Sequence, residues 1–209
     1  MTASKVTLFH APHSRSSTAL WMMEEIGQPY DLQIIDFKAV ENRQSTYLAI
    51  NPLGKVPAIQ HNSGIVTETT AILTYLADAF PAAKLAPAIG DPRRGPYLRW
   101  MFFYAASFEP AVVDKAMKRE PGPIAMSPYG TFEMVIDTID TALATGPYLL
   151  GDQFTAADVM WGSGLDWTMG FGITPKQPHF LAYVERINAR PARKSAQAKD
   201  AELKKAMPA

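Results

Sequence analysis

The fold is decided by residues 51–76, which read NPLGKVPAIQHNSGIVTETTAILTYL. Residues 56–61 and 65–67 have the composition of two short strands, and the letters NSG between them are typical of a hairpin turn with a bulged or left-handed glycine. Residues 68–80 suit a helix, and Pro81 ends it. The stretch therefore predicts a β-hairpin that runs directly into a helix.

The chain upstream of this stretch supplies the rest of a small sheet. Residues 5–10 (KVTLFH) have the apolar and β-branched content of a strand. Residues 11–17 form a polar turn, and residues 18–26 suit a helix that Gly27 ends. Residues 31–36 (DLQIID) alternate as a half-buried strand. The order strand–helix–strand, then hairpin and helix, predicts a small mixed α/β sheet.

The composition changes between Pro81 and Pro96, where prolines and glycines interrupt every hydrophobic period, so residues 82–95 are predicted to be an interdomain linker. After it the apolar spacing is that of amphipathic helices. The two clearest stripes are Trp100, Phe103, Tyr104, Ser107 and Phe108, and Phe132, Val135, Ile136, Ile139 and Leu143. We therefore expect an α/β domain over residues 1–81 and an all-helical domain over residues 96–209.

One helix start in this second half carries its own signal. Thr155 and Asp158 have the spacing of a capping box, in which each side chain bonds the backbone amide of the other. Phe154 and Val159 occupy the positions of the accompanying hydrophobic staple. A helix is therefore predicted to begin directly after Thr155.

Composition excludes several classes of function. The 209 residues contain 20 Lys+Arg and 20 Asp+Glu, and this neutral balance argues against binding to nucleic acid, which requires excess positive charge. Cysteine is absent, so disulfides, cysteine-bound metals and a thiol nucleophile of the protein's own are excluded. No apolar run suits a membrane span and no leader pattern is present. The expectation is a soluble cytoplasmic globular protein.

The turn SRSS, from Ser14 to Ser17, joins a strand end to a helix start. Unpaired amides and the helix dipole favour an anion there, and the hydroxyls can donate to it. The alternative is a plain helix cap, for which serine is a preferred residue. His10 and His13 flank the turn, but no carboxylate or cysteine neighbour completes a metal site, so no metal is predicted.

Two further places suit a peptide-like ligand. If the bond between Val56 and Pro57 is cis, the Val56 backbone is left free to pair with a peptide as an added strand does; the alternative is a tight turn entering an edge strand. Glu68 suits an ammonium group, and Thr69 with the exposed helix amides suits a carboxylate. Together they match an α-amino acid, and the alternative is ordinary helix capping.

These pieces together resemble the cytosolic glutathione transferases, in particular their serine-type bacterial and theta-like classes. The stretches that carry the resemblance are SRSS (14–17), NPLGKVPAI (51–59), ETTAILTYL (68–76) and FTAADV (154–159). The resemblance covers nearly the whole chain and implies a thioredoxin-like domain followed by a helical domain. It also implies a homodimer, with glutathione as co-substrate.

The resemblance implies a role for each matching residue. Ser14 would activate the thiol of glutathione, with Ser16 as the alternative. The glutathione-binding set would be Lys55 and Asn42 near the glycyl carboxylate, Val56 against the cysteinyl backbone, Pro57 as the cis-proline, and Glu68 and Thr69 at the γ-glutamyl end. An apolar electrophile is expected against the first helical stripe, at Trp100, Tyr104, Ser107 and Phe108.

The implied chemistry is conjugation of the glutathione thiolate to a hydrophobic electrophile. A free thiol with a pKa of about 8.5 is only slightly ionised at neutral pH, and a hydroxyl that donates to the sulfur at a helix N-terminus favours the thiolate. The enzyme alternatives are glutathione-dependent isomerisation, dehalogenation, ether cleavage and peroxide reduction. The non-enzyme alternative is a transferase-like interaction module.

Overall fold

The computed structural model of the chain describes residues 5–119 and 122–207. Its internal contacts divide the chain into two units. The first contains the chain up to Ala83 together with the residues from Arg190 onward, and the second runs from Lys84 to Ala189. Within the described ranges, no helix combines the length and the apolar character needed to cross a membrane.

The regular elements follow the chain in this order. The strands are β1 (Val6–His10), β2 (Tyr30–Ile34), β3 (Ala58–His61) and β4 (Gly64–Thr67). The helices are α1 (Ser16–Ile26), α2 (Ser45–Leu48), α3 (Thr69–Ala79), α4 (Arg94–Phe103), α5 (Glu109–Ala116), α6 (Phe132–Leu143), α7 (Ala156–Gly170), α8 (Pro178–Asn188) and α9 (Pro191–Ala206). A π-helical segment, Tyr104–Phe108, connects α4 to α5.

The strands form one four-stranded sheet in the order β2-β1-β3-β4. β1 runs parallel to β2 and antiparallel to β3, and β3 is antiparallel to β4. The α1 crossover between two parallel strands, followed by a hairpin and α3, is the thioredoxin-like arrangement. The second unit is built from helices α4 to α8. The predicted fold class, a thioredoxin-like α/β part and a helical part, is therefore confirmed.

Element ends differ from the sequence prediction in ways that local chemistry explains. α1 begins at Ser16, two residues before the predicted start, and ends as predicted at Gly27, whose φ of 69° and bond to the Met23 carbonyl form a left-handed cap. β3 begins at Ala58, because Pro57 has no N–H to donate to a strand ladder. The short helix α2 (Ser45–Leu48) was not predicted.

The core of the first unit lies between the sheet and α1. Leu8 and Ile59 are paired across β1 and β3 and are fully buried. Leu20 and Trp21 of α1 are likewise fully buried. Burial of such large apolar side chains contributes about 2 kcal/mol each and fixes which end of β1 meets the start of α1. The SRSS turn is therefore held between two well-packed elements.

The last helix, α9, packs along α1 and belongs to the first unit. Arg190 donates to both oxygens of Glu25 at 2.7 and 2.8 Å, and the Arg193 guanidinium lies 4.8 Å from the centre of the Trp21 ring. The sequence assigned residues 96–209 to one helical domain, whereas by contacts residues 190–207 group with the sheet. The physical reason is this set of polar and cation–π contacts, which α9 makes with α1.

The second unit is organised around Trp161 of α7. The rings of Trp100, Phe103, Tyr104 and Phe108 all lie within 6.0 Å of the Trp161 ring centre. The Trp161 indole also donates to the Trp100 carbonyl at 2.9 Å, so its polar N–H is satisfied inside the core. The first predicted helical stripe is thus for the most part the core of this unit.

The helix start predicted after Thr155 is confirmed, and both halves of the capping box are present. The Asp158 carboxylate is fully buried and accepts the Thr155 amide at 2.8 Å and the Leu149 amide at 3.0 Å. The Tyr183 hydroxyl donates to it at 2.9 Å. Burial nevertheless raises the pKa of Asp158 to about 6, because removal from water penalises the charged form more than these bonds favour it.

Candidate active site

Three predicted site segments meet at one end of the sheet. Phe9 near the end of β1 is paired with Ala58 at the start of β3, and Ala58 is paired with Thr67 at the end of β4. The turn that follows β1, the residues that precede β3 and the residues that follow β4 therefore project from the same end. The structure thus brings together the SRSS turn, the Val56–Pro57 segment and the Glu68–Thr69 junction.

Ser14 and Ser16 occupy different environments within the turn. Ser16 is fully buried, and its hydroxyl oxygen accepts the Ala11 amide at 3.0 Å. Ser14 is half-buried, its hydroxyl donates to the Ala11 carbonyl at 2.7 Å, and its oxygen accepts the Ser16 amide at 3.1 Å. Arg15, directly before α1, forms no side-chain cap bond. The Ser14 oxygen instead satisfies the Ser16 amide at this helix start, so capping is one of the roles of Ser14.

Sequence reasoning missed the partner that lies behind these serines. His10, at the end of β1, is fully buried and bonds Ser16 Oγ through Nδ1 at 2.8 Å and Asp200 Oδ1 through Nε2 at 2.9 Å. Asp200 lies on α9, 190 positions away in the sequence. The composition of the residues around Asp200 is typical of a solvated basic helix, and no short sequence pattern there indicates that Asp200 is part of a site.

Asp200 is an anionic anchor for the turn. Its carboxylate also accepts the His13 amide at 3.1 Å and the Ser17 hydroxyl at 3.0 Å. Burial acts to raise the pKa of Asp200, but the hydrogen bonds from His10, His13 and Ser17 outweigh it, and the pKa lies below its ordinary value. Asp200 therefore stays ionised and acts as an acceptor.

The peptide bond between Val56 and Pro57 is cis, as the sequence allowed. The backbone before it is held from both sides, since the Lys55 carbonyl accepts the Tyr47 hydroxyl at 2.7 Å and the Asn51 side-chain amide at 2.8 Å. Within the described part of the chain, no hydrogen bond reaches the Val56 amide or carbonyl. A backbone edge that is fixed in place and unpaired suits an extended peptide ligand.

Lys55 directly precedes this segment, and Asn42 lies in the short 3-10 turn Glu41–Arg43 before α2. The Asn42 side chain donates to the Gly54 carbonyl at 3.0 Å, so it braces the loop that contains Gly54 and Lys55. Lys55 is exposed, and its ammonium group can approach a ligand carboxylate. The structure thus places Lys55 in a position to bind directly, and Asn42 in a position to shape the loop; both roles in ligand binding stay predictions.

Glu68 has an unusual backbone conformation for a non-glycine residue, with φ 67° and ψ 120°. Such a conformation costs on the order of 1–3 kcal/mol and is found most often at functional sites. Glu68 stands at the cap of α3 without a side-chain cap bond, and Thr69 is the first helical residue. Ordinary capping therefore does not explain this pair, while the exposed carboxylate of Glu68 is available to an ammonium group.

The four residues predicted to contact the electrophile differ in exposure. Trp100, Ser107 and Phe108 are buried, with Phe108 only 1% exposed and packed in the Trp161 cluster. Tyr104 is half-buried and is the member with the most accessible ring. The sequence period could not separate core from pocket, and Phe108 belongs to the core. The role of Tyr104 stays a prediction.

Metal ligation was not predicted for the site. Among residues 5–119 and 122–207, no cluster of three or more His, Cys, Asp or Glu side chains is arranged to hold a metal ion. The polar groups that meet at the end of the sheet are hydroxyls, a carboxylate, an ammonium and unpaired backbone. This set fits a zwitterionic peptide.

A four-stranded mixed sheet with a thioredoxin-like crossover, a cis-proline before β3 and a helical second unit defines the class of two-domain thioredoxin-like proteins. Models of the glutathione S-transferase N-terminal and C-terminal domains match residues 4–78 and 129–186. Glutathione S-transferase 3 of Schizosaccharomyces pombe is 32% identical over 173 residues, which are 73% of this chain and 70% of that protein. The chain belongs to the glutathione S-transferase family.

Solved structures agree over nearly the full length. A glutathione transferase from Methylococcus capsulatus is 29% identical and superposes with a TM-score of 0.79, covering 94% of this chain and 99% of that one. A sphingomonad glutathione S-transferase complexed with glutathione is 30% identical, with a TM-score of 0.77 and coverage of 93% and 98%. Both units of the fold therefore have counterparts in this family.

Proposed function

We propose that the protein is a glutathione transferase that conjugates the glutathione sulfur to apolar electrophiles, working as a homodimer in the cytoplasm. The observation that carries the proposal is the meeting, at one end of the sheet, of the half-buried Ser14 hydroxyl, the unpaired Val56 backbone and the exposed Glu68 carboxylate. In that order, they offer a hydrogen-bond donor to a thiol, an unpaired backbone edge to a peptide and a counter-charge to an α-ammonium group. The family relatives and the glutathione-bound neighbour support the same ligand.

Each part of glutathione has a matching group in this arrangement. The cysteinyl backbone would pair with Val56, the γ-glutamyl ammonium with Glu68 and its carboxylate with Thr69 and the first amides of α3. The glycyl carboxylate would meet Lys55. Binding at both ends of the tripeptide fixes the position of the thiol before any chemistry occurs.

Ser14, rather than Ser16, is proposed to activate the thiol. Ser16 is fully buried, so a sulfur atom cannot reach it, whereas Ser14 is half-buried at the turn before α1. A hydroxyl donating to sulfur near a helix N-terminus favours the thiolate over the thiol. Each pKa unit by which the thiol is made more acidic corresponds to about 1.4 kcal/mol. Tyr104 is the candidate to contact the electrophile.

The test is a panel of electrophiles incubated with the protein, with and without glutathione, and read by mass spectrometry. We expect conjugates with added glutathione mass that require the protein, and retention of the protein on immobilised glutathione. Products without the glutathione moiety would favour an isomerase, dehalogenase or peroxidase. Clean flow-through from the glutathione column and no product of any kind would support an interaction module and overturn the proposal.

A further inference from the structure

Four side chains of the first unit form one continuous chain of hydrogen bonds. The hydroxyl oxygens of Ser14 and Ser16 are 2.7 Å apart, and Ser16 Oγ lies 2.8 Å from His10 Nδ1. His10 Nε2 lies 2.9 Å from Asp200 Oδ1. His10 and Ser16 are fully buried, while Ser14 is half-buried. A ligand can therefore reach this chain at its Ser14 end.

The bonding partners determine which atom donates the hydrogen in each of these hydrogen bonds. The Asp200 carboxylate only accepts, so His10 donates to it from Nε2, and Nδ1 is left as an acceptor. The Ser16 hydroxyl can donate to that nitrogen, and Ser14 can in turn donate to Ser16. The Ala11 carbonyl is a second acceptor for both hydroxyls, at 2.7 Å from Ser14 and 3.0 Å from Ser16. For Ser16, the path towards His10 is the shorter one.

Contacts other than the His10–Asp200 pair also dock α9. Arg190 on Glu25 and Arg193 on Trp21 already fix this helix against α1. A buried ionisable pair is weak evidence of stabilisation, since apolar residues of similar volume are often as stable or more so. A buried imidazole with its second nitrogen aimed at a chain of hydroxyls is instead the arrangement of a proton acceptor.

We propose that His10, paired with Asp200, accepts the proton of the glutathione thiol through Ser16 and Ser14; this rests on the proposed function. The S–H bond breaks as Ser14 Oγ takes the proton, the Ser14 hydrogen passes to Ser16 Oγ, and the Ser16 hydrogen passes to His10 Nδ1. The products are a thiolate and an imidazolium, and the Asp200 carboxylate balances the positive charge. His10 acts through two hydroxyls and does not touch the sulfur, so it is a positioning residue.

The decisive variant is His10→Asn, because asparagine offers an oxygen to Ser16 near the Nδ1 position and cannot take a proton. Two quantities are measured on the full-length protein with glutathione: the ultraviolet absorbance of the bound thiolate against pH, and the protons released on binding in a weakly buffered indicator solution. We expect the unmodified protein to form thiolate with less than one proton released per thiolate. In His10→Asn the thiolate titration should move up by about one pH unit or more, with one proton released for each thiolate.

Asp200→Asn is the second variant, since it keeps His10 and removes the charge that balances the imidazolium. We expect a smaller shift of the thiolate titration in the same direction, and this variant decides the matter if His10→Asn does not fold. Arg190→Gln is the matched control, because it loosens α9 at its other end without touching the chain of hydroxyls. It should leave the thiolate titration unchanged.

Three negative results have different meanings. If the unmodified protein binds glutathione without any thiolate absorbance, the proposed thiol activation itself fails. If the unmodified protein shows the thiolate and folded His10→Asn and Asp200→Asn show it at the same pH with the same proton release, the proton acceptor is not His10. An equal shift in Arg190→Gln would mean that the position of α9, and not the His10–Asp200 pair, controls the thiol, which also overturns the proposal.

Discussion

The turn before α1 and the aromatic cluster around Trp161 both contain fully buried side chains, but they are held together by different forces. In the first, Ser14, Ser16, His10 and Asp200 are fixed by hydrogen bonds between 2.7 and 2.9 Å that leave few alternative arrangements. In the second, rings are fixed mainly by packing, and the Trp161 indole donates to the Trp100 carbonyl. The first region is suited to place one reactive atom, and the second to shape an apolar surface.

The comparison predicts that single-atom changes act differently in the two regions. Removing one hydroxyl from the turn should change the rate of the reaction with little effect on stability, because the activity depends on which hydroxyl donates to which acceptor. Adding or removing one carbon in the cluster should change stability, because close-packed interiors respond to volume. Variants in the two regions can therefore separate these effects.

The largest effect is expected for Ser14→Ala. Loss of a donor aimed at the developing thiolate should lower turnover about 100-fold, by analogy with the removal of one donor to a catalytic anion. Glutathione affinity should change by no more than about twofold, because Ser14 acts on one atom of the tripeptide. Steady-state kinetics with glutathione and an electrophile of the panel, together with calorimetric glutathione binding, measure the two quantities.

Ser16→Ala provides the internal comparison for this prediction. Ser14 can still donate to the sulfur in this variant, so we expect a loss of turnover smaller than that of Ser14→Ala. A larger loss for Ser16→Ala would move the thiol-activating role by two residues. Equal turnover of Ser14→Ala and the unmodified protein would remove serine activation altogether.

Sequence patterns pointed to the residues proposed to contact glutathione, but they did not point to the buried His10–Asp200 pair. Ser14, Val56–Pro57 and Glu68–Thr69 each lie beside a turn or a helix start, where short-range patterns carry the information. Asp200 could not be predicted, because its partner His10 is 190 positions away and its helix has the composition of a solvated surface. Contacts between distant segments depend on the fold, and local spacing does not contain them.

The helical unit shows a different limit of prediction. The stripe from Trp100 to Phe108 was interpreted with a period of 3.6 residues, but Tyr104–Phe108 is π-helical. The rings of Tyr104 and Phe108 nevertheless both pack against Trp161, and they differ only in exposure, with Phe108 buried and Tyr104 half-buried. A periodic pattern gives the face of a helix and not how deeply each side chain on that face is covered. The capping box at Thr155 was predictable because its information is contained in four consecutive residues.

The largest effect on stability is expected for Asp158→Ala in the second unit. This change leaves the Thr155 and Leu149 amides and the Tyr183 hydroxyl without their buried acceptor. The free energy of unfolding should fall by about 3 kcal/mol, since each lost bond to a buried charged group costs about 1 kcal/mol or more. Thermal or urea unfolding measures it, and the exposed Asp137→Ala should stay within about 0.5 kcal/mol of the unmodified protein. An unchanged unfolding midpoint for Asp158→Ala would contradict the structure.

The pH dependence of stability distinguishes the charge of Asp158 from its hydrogen bonds. Its pKa is raised from 3.8 to about 6, so the folded state binds the proton more tightly than the unfolded state does. The stabilisation from this proton is fully present below pH 3.8 and is lost as the pH rises towards about 6, with a change on the order of 2–3 kcal/mol. The difference in unfolding free energy between the unmodified protein and Asp158→Asn should therefore decline over this window. A flat difference would show that the pKa of the Asp158 carboxyl group is the same in the folded and unfolded states.

The smallest of these effects, about 2 kcal/mol, is expected for Gly164→Ala on α7. A Cβ at this position would overlap the ring and hydroxyl of Tyr104, so the ring has to move or the helices have to separate. Gly170→Ala on the same helix is the matched control, because a Cβ there has no neighbour within 4 Å and alanine favours the helix. If Tyr104 contacts the electrophile, Gly164→Ala should also raise the KM for the electrophile and leave the KM for glutathione unchanged. A stability loss with both KM values unchanged would place Tyr104 with Phe108 in the core and move the electrophile contact to other residues, because the packing change would then have no path to the second substrate.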